Sequence, residues 1–389
     1  KAIGSLTLNS SAGAQFAALN VGNLTLATTA AGAGQLVQLA GDATISSGMS
    51  IGSGAYDLSL TGSAVSVAGA TVVGNTGRLV LGNANDDSFT FKGGLTATAP
   101  TSVALRGTVA TVGNTSLSLG DGNTPVSADG VSTIGGTATG TVSVGDITLS
   151  TGAGLTLQAT GTISARGLQG STGATATSLA VNAGGSVSVS GQVERISTLS
   201  LDKAVGTTFD AVVGSTGTVG LSVGGSVTGT VLFNGASNRF TSADFLGGTY
   251  SLTFARAAAF DSAINLLNTG LATFNGVTVT GAFTSSSAPL RLQGDLTATG
   301  TITTLKSVTI AANVTVNSTN ADISLEGATN AAGGSETLTL GAKGQVAIKG
   351  LVGNTLAPAL LGFGATGSIQ LDAILRAGSV ATSQARDRK

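Results

Sequence analysis

The chain has 389 residues, with 17 Lys and Arg against 18 Asp and Glu, a net charge of −1, and only 9% charged and 4% aromatic residues. It lacks Cys, His and Trp, which excludes disulfides, thiolate or imidazole zinc sites and any histidine-based serine triad. No basic block or aromatic platform stands beside Lys or Arg, so the footprint of a nucleic-acid binder is missing, and no stretch approaches the ~20 apolar residues of a membrane span.

Gly is 60 of the 389 residues, about twice the usual ~7%, and the shortage of charge argues against ordinary disorder. The first residue is Lys1, with no initiator Met and no charged segment followed by an apolar one, which predicts a mature product or a fragment.

From Lys1 to about Gly120 a short motif recurs, in which two apolar residues bracket one small residue: Leu6-Thr7-Leu8, Leu24-Thr25-Leu26, Ala43-Thr44-Ile45, Leu58-Ser59-Leu60, Val65-Ser66-Val67, Phe89-Thr90-Phe91 and Leu117-Ser118-Leu119. Apolar residues at alternate positions are the period of a strand with one face buried. The first three triplets begin at 6, 24 and 43, a candidate coil length of 18 or 19. Pairs such as Gly22-Asn23, Gly41-Asp42, Gly74-Asn75 and Gly113-Asn114 punctuate the strands and are read as corners that tolerate positive φ.

The pattern continues to Gly206 with Val142-Ser143-Val144, Ile147-Thr148-Leu149, Val187-Ser188-Val189 and Leu199-Ser200-Leu201. Two stretches, 120–140 (with Pro125) and 167–177, are poor in paired apolar residues and are expected to be looped or irregular coils.

Eight of the twelve phenylalanines lie between Phe209 and Phe283. Phe233, Phe254 and Phe274 are spaced by 21 and 20, Phe240 and Phe260 by 20, and the tripeptide Phe-Asn-Gly occurs at both 233 and 274. A coil of about 20 residues would stack these rings in a ladder inside the fold. The stretch from Ala255 to Asn268 has helical propensity but is read as part of the coils.

Between Pro289 and Gly350 the triplets tighten, five of them beginning at 290, 296, 302, 308 and 314. Three-residue strands every six residues are too short for hairpins or βαβ units and predict a chain wound on itself, each strand pairing with those one coil above and below. The expected architecture is all-β, a single elongated parallel β-helix over 1–375 with about 20 residues per coil, right-handed, followed by a polar C-terminal tail over 376–389. Roughly 19 coils at ~4.8 Å between strands give a rod on the order of 90 Å.

Candidate chemistry is sparse. Asp86-Asp87 beside Asn83 and Asn85 offers oxygens to a hard cation, yet the Gly-Gly-x-Gly-x-Asp repeat of calcium-binding β-rolls does not occur, and a polar turn is expected there and at Asp121 and Asp129. Glu194-Arg195 and Asp202-Lys203 are read as solvated opposite charges. Gly224-Gly225 and Gly333-Gly334 are read as turns, because no Lys-Ser/Thr follows to make a phosphate loop. Thr297, Thr309 and Thr315 suggest a row for ice binding, but the middle residue of the triplets varies too much for a strict threonine ladder. Scattered carboxylates and only two tyrosines, Tyr56 and Tyr250, argue against a polysaccharide-degrading groove. The expectation is therefore no catalytic, cofactor or metal residues, no cofactor, and no enzyme.

With its Leu-Thr-Leu and Val-Ser-Val strands, Gly-Asn turns, short repeated coils and no cysteine, the chain resembles the passenger regions of exported bacterial adhesins. These are the filamentous-haemagglutinin-like proteins of two-partner secretion and the autotransporters. The resemblance covers most of the chain. The Asn-Pro-rich secretion motifs and a C-terminal membrane barrel are absent. What the resemblance implies is an extracellular stalk serving attachment, aggregation or biofilm matrix. Its expected partners are a host or neighbouring cell surface, glycans or matrix, or further copies of itself stacked end to end; neither nucleic acid nor membrane insertion is expected. A self-assembling filament or sheath is the alternative.

Overall fold

The computed structural model describes residues 3–9, 12–27, 34–172, 177–215, 218–331, 335–364 and 367–382. Among them there is no helix, and the short strands pair in parallel throughout, so the chain is a β-solenoid with about 22 residues per turn. It divides into two compact units, Lys1–Val205 and Gly206–Lys389.

The local cause is the triplet itself. In Val142–Val144 and Val187–Val189 the two valines are buried and the serine is exposed, because alternate side chains of a strand face opposite ways. Each three-residue strand has too few hydrogen bonds to stand alone, so stability comes from stacking like on like. In the first unit one inward ladder runs Phe16, Leu39, Leu60, Leu81, Leu105, Ala128, Leu149. Another runs Ala97, Leu119, Val144, Ala165, Val189.

Coil length varies more than the sequence suggests. The coil that carries Ile3 to its partner Val21 is markedly shorter than the one that carries Leu117 to its partner Val142. Leu6 does pair with Leu24, but Leu24 pairs with Met49 and not with Ala43, whose partner is Leu19 in the same strand as Leu24. The apparent step from the second triplet to the third joins two different faces. A strand that bends through a corner, with a register shift between Val21 and Asn23, carries two triplet positions that sequence spacing merges.

The stretch 120–140, expected as a looped or irregular coil, holds the ten-residue strand Val126–Gly135. Irregularity is present in the bends and turns that flank it, 120–125 and 136–140, and in register: the pairing with Ser102–Thr111 slips between Leu105 and Gly107. Alternation there is carried by Val126, Ala128, Ser132 and Ile134, all buried, and small or polar inward residues hide it from an apolar search. Within 167–177, Leu168–Gly170 is a paired strand, and 173–176 lie outside the described residues.

In the second unit the short step between triplets is the distance between faces of one coil. Leu290 pairs with Val308, the start of the third triplet after its own, and Leu290–Leu292, Leu296–Ala298 and Ile302–Thr304 belong to three separate ladders. Ala255 to Asn268 contributes the strands Ala257–Phe260 and Ile264–Leu266. Gly224 and Gly225 are not turn residues but lie inside the fifteen-residue strand Val219–Phe233. Its first part pairs with Ser242–Phe245 and its last with Ser251–Phe254, so one continuous strand serves two faces. Gly333-Gly334 lies outside the described residues. The C-terminal segment expected to be a polar tail contains the strand Ser379–Thr382, paired with Leu360–Phe363; its last residues, 383–389, are not described.

The corner glycines also have a different cause from the one expected. Gly113 and Asn114 do adopt positive φ, 66° and 60°. At Gly41, by contrast, an added Cβ would lie 1.4 Å from the carbonyl oxygen of Ala17 one coil before, and at Gly22 and Gly74 the corresponding contacts are 2.3 and 2.5 Å. Backbone stacks on backbone at these corners and leaves no volume for a side chain.

Candidate functional site

The outward residue of each triplet forms rows as regular as the buried ladders. On one face of the first unit the pairing aligns Thr25, Ser50, Val72, Thr96, Ser118, Ser143, Ser164 and Ser188. From Thr96 onward the hydroxyl residues occupy five consecutive coils, about 4.8 Å apart, and all but the half-buried Ser118 are exposed. Sequence reading missed this row because the step along the chain differs from each member to the next, so the alignment is visible only once the register is known. It carries one threonine in its five-coil run, so it is not the threonine array that ice binding would require.

Thr297, Thr309 and Thr315 are not brought together. Thr297 pairs with Asn317, Thr315 with Thr339, and Thr309 lies on a different ladder, between Arg291 and Thr329.

Asp87 and Asp121 close turns, whereas Asp129, expected in a turn, stands inside the strand Val126–Gly135 where its register slips. Asp87 is buried, and its Oδ2 accepts the backbone N–H of Asn83 at 2.8 Å and of Ala84 at 3.0 Å. Asn85 Oδ1 accepts Arg106 Nε at 2.9 Å and the Val131 backbone N–H at 3.2 Å. Asp121 Oδ1 accepts from the backbones of Asn123 and Thr124. Asp129 takes the Gly130 N–H and lies 4.0 Å from Arg106. Carboxylates held this way fix local backbone and are poorly placed to converge on one ion. Among the described residues no three of Asp, Glu, His or Cys form a group able to hold a metal.

Glu194-Arg195 departs from the expected solvated pair. Glu194 is buried, and Arg195 takes a left-handed backbone, φ 56°, while its guanidinium donates to Gly170 O at 2.8 Å and Gln169 Oε1 at 3.2 Å. The arginine ties its corner to the coil before. The Asp202 carboxylate accepts the Ser200 hydroxyl, and Lys203 pairs with Asn182 in the strand register.

Surface concavities are open and shallow. One of about 410 Å³ in the first unit is lined by Val80, Ala104, Ser127, Arg78, Arg106 and Asp129 among others. Two in the second unit, about 290 and 380 Å³, are lined mainly by apolar and small residues with one aspartate each, Asp244 and Asp295. Comparison with family models, curated proteins and solved structures returns no match.

Proposed function

We propose that the chain is a non-enzymatic extracellular protein whose repetitive β-solenoid surface mediates attachment, aggregation or biofilm cohesion. The observation that carries this reading is the hydroxyl row Thr96, Ser118, Ser143, Ser164 and Ser188, repeated coil by coil on a hydrogen-bonded scaffold. Identical weak hydrogen-bonding groups at a fixed spacing suit a repetitive partner such as a glycan or matrix polymer, where avidity multiplies single contacts of low affinity. Low charge and the openness of the three concavities described fit such a surface better than recognition of one small ligand. The test is attachment of the purified protein to cells, glycans and matrix polymers, comparing wild type with a Ser143→Lys/Ser164→Lys variant. Loss of attachment with unchanged stability supports the reading; equal attachment by both removes the row from it, and no attachment to any surface overturns it.

A second reading, end-to-end assembly into a filament, is favoured by one observation. Ile374 and Val380 are 64% and 56% exposed, and large apolar side chains left in solvent are a surface for association with a further copy. Electron microscopy across a dilution series separates the two: particles of one size at every concentration support attachment, and filaments that lengthen with concentration support assembly.

A further inference from the structure

One corner is built twice, once in each unit. Gly54-Ala55-Tyr56-Asp57-Leu58-Ser59-Leu60 corresponds to Gly248-Thr249-Tyr250-Ser251-Leu252-Thr253-Phe254, and one coil later Asn75-Thr76-Gly77 corresponds to Asn268-Thr269-Gly270. These are the only two tyrosines in the chain. Both are fully buried, and each donates its hydroxyl to the carbonyl four residues earlier, Tyr56 to Gly52 at 3.2 Å and Tyr250 to Leu246 at 3.1 Å.

The asparagines repeat the bond to the tyrosine carbonyl, and each finds a second carbonyl nearby, three residues on in the first corner and two residues on in the second. Asn75 Nδ2 donates to Tyr56 O at 3.0 Å and Arg78 O at 3.4 Å, and Asn268 Nδ2 donates to Tyr250 O at 3.1 Å and Gly270 O at 2.9 Å. The following threonine binds the earlier coil through its backbone: Thr76 N to Gly54 O at 2.7 Å, Thr269 N to Gly248 O at 2.8 Å. Gly77 and Gly270 are equally constrained, since a Cβ at either would lie 2.3 Å from the tyrosine carbonyl oxygen.

Each amide thus spends both its hydrogens on carbonyl oxygens. Turning the amide over would set Oδ1 against those same carbonyls, so the orientation is fixed. The consequence is that Oδ1 of Asn75 and Oδ1 of Asn268 are each buried with no protein group in hydrogen-bond reach. A buried acceptor without a donor is rare in folded proteins, and the usual remedy is an ordered water. We propose that each corner binds one buried water molecule that donates to the asparagine Oδ1. The residues shared by the two corners are neutral: Gly, Tyr, Asn and Thr recur, whereas Asp57 and Arg78 of the first become Ser251 and Leu271 in the second. A site defined by the shared residues calls for a small neutral donor and not for an ion.

The experiment is a high-resolution crystal structure of the full chain. The expected result is a single ordered solvent peak within hydrogen-bonding distance of Oδ1 in each corner. Dry corners overturn the proposal, and so does a peak at only one of them, because the shared geometry would then not define the site. Oxygen-17 relaxation dispersion counts long-lived waters in solution independently. The Asn75→Leu/Asn268→Leu variant is expected to hold two fewer than wild type, and an unchanged count in the folded variant overturns the assignment. The wild-type structure alone decides the matter if that variant fails to fold.

Discussion

Phe233 and Phe254 stack face to face one coil apart, ring centroids 4.6 Å and planes within 6°. The stack extends to Phe209 on one side (4.9 Å) and Phe274 on the other (5.4 Å). Phe240 and Phe260 form a second, parallel pair at 5.4 Å and meet the first edge to face, Phe254 against Phe260 at 5.7 Å and 90°. Two aromatic ladders on neighbouring faces therefore interlock in the core of the second unit.

Phe254 is the crossing point, fully buried and touching Phe233, Phe240, Phe260 and Phe274. Phe254→Ala is expected to cost about 3–5 kcal/mol, whereas Phe254→Leu, which keeps most of the volume and loses ring geometry, costs about 1 kcal/mol. Urea denaturation followed by circular dichroism measures both, and wild-type stability in Phe254→Leu would show that the stack contributes nothing beyond burial.

Gly41→Ala forces a methyl group into the carbonyl of Ala17, a backbone atom that cannot rotate away. The expected loss is about 1–3 kcal/mol. Gly4→Ala, where nothing lies within 4 Å of the added carbon, changes stability by no more than about 0.5 kcal/mol. The midpoint difference between the two variants in one denaturation series checks the claim that coil stacking selects glycine at this corner.

Burial raises the pKa of the Tyr250 phenol well above its ordinary 10.0. The unfolded chain loses this proton near pH 10 while the folded chain keeps it, so the stability linked to this group is complete below about pH 10 and is lost as pH rises toward the folded value. Tyr250→Phe is expected to cost about 1 kcal/mol at neutral pH through the lost bond to Leu246 and to flatten the decline above pH 10. Thermal unfolding at a series of alkaline pH values tests this; an identical decline in both proteins would refute it.

Asp87→Ala leaves two backbone N–H groups, those of Asn83 and Ala84, without their acceptor. The expected cost is about 1–3 kcal/mol. If Asp86 and Asp87 served a calcium site, added calcium would raise the wild-type melting temperature; the geometry predicts no shift, measurable by scanning calorimetry with calcium and with chelator.

Much of the architecture follows from the sequence by itself. The alternation of Val142-Ser143-Val144 dictates which side is buried, and the regular phenylalanine spacing from Phe233 to Phe274 locates one coil on the next, because aromatic rings need partners at a fixed separation. These are local facts, readable wherever the inward residues are large and apolar. The tertiary structure alone decided the pairing. It set Leu24 against Met49, made a ten-residue strand of Val126–Gly135, separated Thr309 from Thr297 and Thr315, and assembled the hydroxyl row from Thr96 to Ser188. It also gave the two tyrosine corners their shared geometry. The physical reason is that corner length is free to vary: residues added between strands leave the ladder hydrogen bonds intact but shift every later position, so which outward groups become neighbours is fixed by register and not by spacing along the chain.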